Sequence, residues 1–291
     1  MLRILSAAFL VQLVLVTLLY WPASPKEPSR DALFTSVAVD AVERIQLSNN
    51  DGATVVLVLD EGGWRLDLGL PADSSKVEKL LNGLLRSDPG FPVAETAGAA
   101  KRFEVADTEF RRRVTLIANS DEATAYLGST AALGRVHARI SDENAVYVLP
   151  LSSLDAPVDI DSWLDTRLLS RQTPTVFSLY GVDFSKDNGE WDRNDGHSMK
   201  ASLSANFADV LGSLQVSGLV DVADDDAANA DEALRVSIGK NTDIDQLVVL
   251  HNPESDRYYF QSARFNGIFS TSAYDAERLI DAAKALLEDG A

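Results

Sequence analysis

Between residues 63 and 86 the apolar positions change period, from the alternation of a strand to the three-and-four spacing of a helix. Gly63-Trp64-Arg65-Leu66 alternates, and Val77, Leu80, Leu81, Leu84 and Leu85 then fall at i, i+3, i+4, i+7 and i+8. This spacing predicts an amphipathic helix within residues 71–86, with Ser75 and Glu78 as its capping box. Ahead of it, residues 42–47 and 53–60 read as strands separated by the turn Asn49-Asn50-Asp51-Gly52, and Glu61-Gly62-Gly63 turns the chain into the tryptophan strand. Asp88-Pro89-Gly90 closes the helix, and a small-residue connection, 94–100, leads to four more strands at 112–118, 124–127, 135–140 and 145–149. Residues 150–169 read as helical in part, broken at Pro157, with Trp163, Leu164, Leu168 and Leu169 on an apolar side.

The pattern then starts over. Residues 176–184 read as one strand, Asn188-Gly189 as a hairpin turn, Glu190-Trp191-Asp192 as a second tryptophan strand and Asp195-Gly196 as a further turn. Ser204 is placed to cap a helix whose Phe207, Val210, Leu211 and Leu214 repeat the earlier leucine spacing. An acidic, alanine-rich stretch at 221–232 reads as a solvated loop. Strands at 234–238, 246–251, 257–263 and 267–270 follow, then a last helix at 274–288 capped by Ser272. Trp191 lies 127 residues after Trp64, the helices are 130 apart, and Val236 follows Val114 by 122. In the same frame Tyr147 falls on Phe269, and Ser152 and Asp155 fall near the start of the last helix. The expected fold is therefore α+β, two tandem copies of an antiparallel meander-plus-helix unit. The expected bounds are 41–170 for the first copy and 171–291 for the second.

A different pattern precedes both copies. Residues 4–21 form an apolar run interrupted only by Ser6, Gln12 and Thr17, with Arg3 before it and Tyr20-Trp21 at its far end. As a helix it would rise about 27 Å, enough for a thin bilayer. A cleaved signal peptide is the competing reading, although Pro22 and Pro25 flank the candidate bond. The anchor reading assigns residues 1–21 to a transmembrane helix and 22–40 to a linker. It places the rest of a single-pass chain on the periplasmic side of the cytoplasmic membrane.

Charge narrows the partners. The 291 residues carry a formal charge of −18, of which residues 151–291 hold −14, so nucleic acid is not an expected partner. Anionic headgroups would repel such a surface, which leaves the inserted segment as the route to a membrane. There is no cysteine, hence no disulfide, thiolate nucleophile or cysteine-held metal. His137, His197 and His251 lack the spacing of a helical metal pair. Ser237 and Lys240 form a Ser-x-x-Lys without its companion motifs. Asp221 and Glu232 bound a twelve-residue acidic segment, but Ala223 and Asp226 stand where a calcium loop needs an oxygen ligand and a glycine. Phosphate-binding glycine loops are absent, and neither a cofactor nor catalysis is expected. The one basic run, Arg111-Arg112-Arg113, puts Arg111 and Arg113 on one face of a strand as a candidate anion or partner contact, or as charge protecting an edge. Arg167 is a third such candidate, expected to pair with an acid across the junction of the copies.

The ordered motifs Val42-Glu43-Arg44-Ile45, Gly63-Trp64-Arg65-Leu66, Pro71-Ala72-Asp73, Tyr126-Leu127-Gly128, Val146-Tyr147-Val148-Leu149 and Asp165-Thr166-Arg167-Leu168-Leu169 resemble domain-of-unknown-function family four-three-four-zero, over roughly residues 40–190. The resemblance implies an anchored extracytoplasmic bacterial protein, of a kind often encoded beside gliding-motility-type ABC transporters. It supplies no catalytic residues. A non-catalytic accessory or binding subunit working with an ABC-type permease and ATPase is the expectation, with a free periplasmic ligand-binding protein as the alternative. An enzyme acting on envelope polymers would need a carboxylate pair that no motif supplies.

Overall fold

Asn49 folds the first strand back: its Oδ1 accepts the amides of Asp51 and Ala53 at 3.1 and 2.9 Å, while Gly52 takes φ 90°. In the computed structural model, which describes residues 37–288 except 120, 173, 198–199, 222 and 241–242, together with 12, 33 and 34, this turn joins β1 (Val42–Ser48) to β2 (Thr54–Asp60). The turn at Glu61-Gly62 returns the chain as β3 (Gly63–Leu66). Helix α1 (Ser74–Leu85) buries Val77, Leu80, Leu81, Leu84 and Leu85, the face its spacing predicted. Next come α2 (Ala97–Arg102), a small hairpin of β4 (Val105–Ala106) and β5 (Glu109–Phe110), and a four-strand meander of β6 (Arg112–Ala118), β7 (Asp121–Ala132), β8 (Arg135–Ile140) and β9 (Val146–Leu149). The first sheet has the order β3-β2-β1-β6-β7-β8-β9 and is antiparallel throughout.

The second sheet is built from β10 (Val176–Leu179), β11 (Val182–Asp187) and β12 (Glu190–Arg193), then helix α3 (Ala201–Leu211), the short β13 (Gly218–Leu219) and a four-residue helix α4 (Asp225–Ala228). It is completed by β14 (Asp231–Lys240), β15 (Asp243–Asn252), β16 (Arg257–Ser262) and β17 (Gly267–Thr271). Helix α5 (Ala273–Glu288) closes the fold and packs along α3. The strand order is β12-β11-β10-β14-β15-β16-β17-β13. The chain is thus α+β, with mostly antiparallel sheets and few helices. One apolar core runs through both sheets and takes in Leu33, Phe34 and Val37 from ahead of β1.

Backbone hydrogen bonds carry one sheet into the other. The edge strand β3 gives its Trp64 carbonyl to the Ala72 amide at 2.9 Å, Pro71 accepts from Asp165 at 3.0 Å, and Trp163 accepts from Asp73 at 2.8 Å. Thr166 then accepts from Val216 at 2.8 Å, two residues before β13, which pairs with β17. Trp163, at the middle of this junction, is fully buried, and its indole N–H donates to the Pro157 carbonyl at 2.9 Å.

Several local expectations change. Asp73, not Ser75, caps α1: its carboxylate accepts the Ser75 and Lys76 amides, and the Ser75 hydroxyl donates to it as well. A carboxylate two residues earlier outcompetes the serine because it satisfies two orphan amides at once. Ser204 lies inside α3, buried, with its hydroxyl turned back to the Ala201 carbonyl; Lys200 holds the N-cap position. Residues 176–184 are not one strand, because Tyr180 (φ 48°) and Gly181 (φ 87°) form a tight turn between β10 and β11. The small-residue connection contains α2, capped by Thr96. The part-helical stretch 150–169 forms a single 3-10 turn, Ser153–Asp155, after which Pro157 restricts the preceding residue. Trp191 is only half-buried, whereas Trp64 is buried. The apolar segment 4–21 lies outside the described residues apart from Gln12, and among the described residues no helix is long and apolar enough to cross a membrane.

Candidate functional site

Residues that stand side by side across a sheet share a face, so each sheet can be followed as rows of cross-strand neighbours. In the first sheet one row runs Arg113, Tyr126, Arg139, Val146, and the amide of Val93 donates to Val146 at 2.7 Å. In the second sheet the corresponding row runs Arg235, Val248, Gln261, Ile268, and the amide of Val220 donates to Ile268 at 2.9 Å. Both rows face away from the main core.

The two rows are covered differently. Over the first lie α2 and the β4–β5 hairpin: Val105, Ala100, Tyr126 and Val146 form a small buried cluster, and the Phe110 and Tyr126 rings sit 5.3 Å apart. Arg139, 4% exposed, is satisfied by the Val105 and Glu143 carbonyls at 2.7 Å and by Asp107, whose carboxyl that hydrogen bond holds below its usual range. Over the second row α4 is present but no hairpin follows it, because only Asn229 and Ala230 separate α4 from β14. A groove of about 610 Å³ remains, with Val248 and Ile268 on its floor beside Arg235, Gln246 and Gln261. Ala227 and Ala228 of α4 form one wall, Phe265 another, and Leu68 and Leu70 reach in from the first half. A second cavity, about 560 Å³, adjoins it at Leu219, Val220 and Asp221 and is lined by Val158, Ile160 and Asp161 of the junction.

The polar groups of the groove are unequally engaged. Arg235 is paired with Glu232 and donates to the Gln246 amide oxygen at 3.2 Å; its hydrogen bond lowers the Glu232 pKa. Gln261 is exposed, and its amide has no partner among the described residues. The wall itself is fixed by Asp226, whose carboxylate accepts from Asn252 at 2.9 Å and from Arg257 and the Tyr259 hydroxyl at 3.1 Å. Hydrogen bonds from Ser255, Tyr259 and Arg257 hold the Asp226 carboxyl below its ordinary value. The acidic stretch expected as a solvated loop is therefore a short capped helix continued by strand: Asp224 accepts the Asp226 and Ala227 amides, and Asp231 and Glu232 already belong to β14.

The arginines singled out by sequence lie elsewhere. Arg111 pairs with Glu104, and Arg113 donates to the Ser48 hydroxyl at 3.2 Å, with its guanidinium 5.8 Å from the Phe110 ring. Their guanidinium groups are thus held separately. Strand β6 is central in its sheet, between β1 and β7, so protection of an edge is not what these charges do. Arg167 is exposed in the junction, and its side chain forms no ion pair among the described residues, contrary to the acid partner expected for it. His137 stacks on Phe103, His251 on Tyr258, and His197 lies 3.4 Å from Asp195, three separate places. Among the described residues no three His, Asp or Glu side chains are gathered as a metal site.

A family model described as Domain of unknown function (DUF4340) matches residues 64–233, from the tryptophan strand through the junction and into the second sheet. Neither a curated protein nor a solved structure matches the chain.

Proposed function

We propose, from the premise that this chain belongs to the family Domain of unknown function (DUF4340), that it is a non-catalytic binding subunit. Its ectodomain is a tandem duplication, held at the periplasmic side of the cytoplasmic membrane by residues 4–21, and it serves an ABC-type permease and ATPase. The observation that carries this reading is the open groove over the row Arg235, Val248, Gln261 and Ile268, beside a first sheet whose comparable row is covered by the β4–β5 hairpin.

Support for the duplication lies in register. Leu59 pairs with Trp64 as Lys186 pairs with Trp191, Leu127 with Ala138 as Val249 with Phe260, and Ala138 with Tyr147 as Phe260 with Phe269. The helix starts agree too. Ser152 and Asp155 form a reciprocal box, and in the second half the Ser272 hydroxyl accepts the Asp275 amide at 3.0 Å and donates to the Asp275 carboxylate at 2.7 Å. A scaffold with one covered and one open copy favours binding over turnover, and the transporter partner follows from the family resemblance and the apolar N-terminal segment.

Solubilised membranes expressing the tagged full chain provide the test. An ABC permease or its ATPase is expected to co-purify, and Edman degradation of the recovered chain should start at Met1 or Leu2. Recovery of the chain alone, under conditions that keep other transporter complexes intact, counts against the accessory role. A start beyond residue 21 would favour the free ligand-binding alternative.

A further inference from the structure

We infer that the groove over Arg235, Val248, Gln261 and Ile268 seats an extended segment of a partner protein, one that presents bulky apolar side chains flanked by Lys or Arg. The inference rests on the duplication reading above and names the ligand class of that same site.

The first half shows what such a row takes. Its equivalent, Arg113, Tyr126, Arg139 and Val146, is covered by the chain's own residues 103–110, with Val105 and Phe110 as apolar contacts and the Val105 carbonyl accepting from Arg139. The second half keeps the row and the short helix beside it, but not the covering segment. The offset between halves is 128 at the caps Thr96 and Asp224 and 122 at Val114 and Val236, so the second half is six residues shorter at this place. Val248 stands where Tyr126 stands in the first row, which leaves depth for a large side chain. Gln261 stands where Arg139 stands, an unpartnered amide able to donate to a backbone carbonyl as Arg139 does.

Charge selects the flanks. Asp221 and Asp224 line the groove and residues 151–291 carry a net −14, so a cationic segment is attracted. A second copy of this chain, at −18, would bring acid against acid. The first half's own cover, residues 103–110, carries three acids and no base and lies on a row that holds Arg113 and Arg139, whereas acids rim the second row and call for bases.

Residues 101–113, made as an acetylated, amidated and fluorescently labelled peptide, are the probe, offered to the full chain in detergent. Anisotropy should show saturable binding that weakens as salt is raised. It should weaken about ten-fold or more when Ala228→Trp fills the groove from an exposed position on α4, and likewise when Gln261→Arg places a like charge there. A peptide carrying Val105→Asp and Phe110→Asp should lose binding. Circular dichroism melts confirm that both exposed-site variants remain folded. No binding by the wild-type chain, or equal binding by folded Ala228→Trp, overturns the inference, as does self-association of the wild-type chain that Ala228→Trp abolishes. Failure here with a transporter still co-purifying sinks the ligand class alone, whereas peptide binding without a transporter sinks only the accessory role.

Discussion

Trp163 closes the core just after the short 3-10 turn Ser153–Asp155. Ser152 and Asp155 start a helical turn with a reciprocal box, but Pro157 follows within one turn and the helix stops. The indole, fully buried, lies beside Lys76 and Lys79 of α1. Trp163→Ala should cost about 3–5 kcal/mol, read from urea unfolding. Gly128 matters for a different reason: a Cβ there would lie 2.0 Å from the Phe103 carbonyl oxygen, backbone that must move. Gly128→Ala is expected to lift the β4–β5 hairpin and expose residues 103–110 to limited proteolysis while the rest of the first sheet stays folded. At this scale apolar spacing was a sound guide, since Val77, Leu80, Leu81 and Leu84 are all buried. Caps were harder to read, because Asp73 and Ser75 are both good cappers and the winner depends on which carboxylate or hydroxyl reaches two amides. The partners of Arg111 and Arg113 were invisible, since Glu104 is brought near by the β4–β5 hairpin and Ser48 by the pairing of β1 with β6.

Among the elements, α4 is the one whose hold on the fold is chiefly polar. Asp226→Asn keeps the shape but weakens the bonds from Arg257 and Tyr259, so hydrogen exchange at residues 225–229 should quicken while that at β15 and β16 is unchanged. The Asp226 carboxyl is lowered from 3.8 in the folded state, so the stability it contributes is present at neutral pH and fades as pH falls below 3.8 towards that lowered value. Wild-type exchange at α4 should therefore accelerate in that acid window before the sheets respond, and the Asn variant should not show the step. Strands were the most legible elements, because Asn49-Asp51-Gly52 and Asn188-Gly189 announce their turns. The acidic stretch misled because aspartates that read as solvated charge are here a cap, Asp224, and a buttress, Asp226. The groove was not legible in sequence, because which residues lie over Val248 and Ile268 is decided by how short the link from α4 to β14 is, and that link shows only once the elements are placed.

Across the whole molecule, the chain of backbone bonds from Trp64 through residues 71–73, 163–166 and 216 to β17 ties both sheets to one ladder. The Arg171–Asp245 pair adds a further tie from the junction to β15. Unfolding by urea should accordingly be one transition, with tryptophan fluorescence and far-UV circular dichroism coincident. Two separated transitions would mean that the halves fold independently. The α+β class and the order of the main strands and helices were readable from periodicity and turn residues, whereas α2, the β4–β5 hairpin, α4 and the turn between β10 and β11 were not. Which sheet face is left open was not, because strands of both sheets alternate alike whether a hairpin or nothing lies above them.

Strand β1 is central in its sheet, hydrogen-bonded to β2 on one side and β6 on the other, and the residues just ahead of it, Leu33, Phe34 and Val37, are packed into the core. A mechanical load applied from the N-terminal side therefore meets first a set of buried side chains and then a strand gripped on both flanks. Because antiparallel bonds run across the strand, a pull along it strains many of them together rather than peeling them singly. A fold whose first strand lay at an edge would open under far less force from that side.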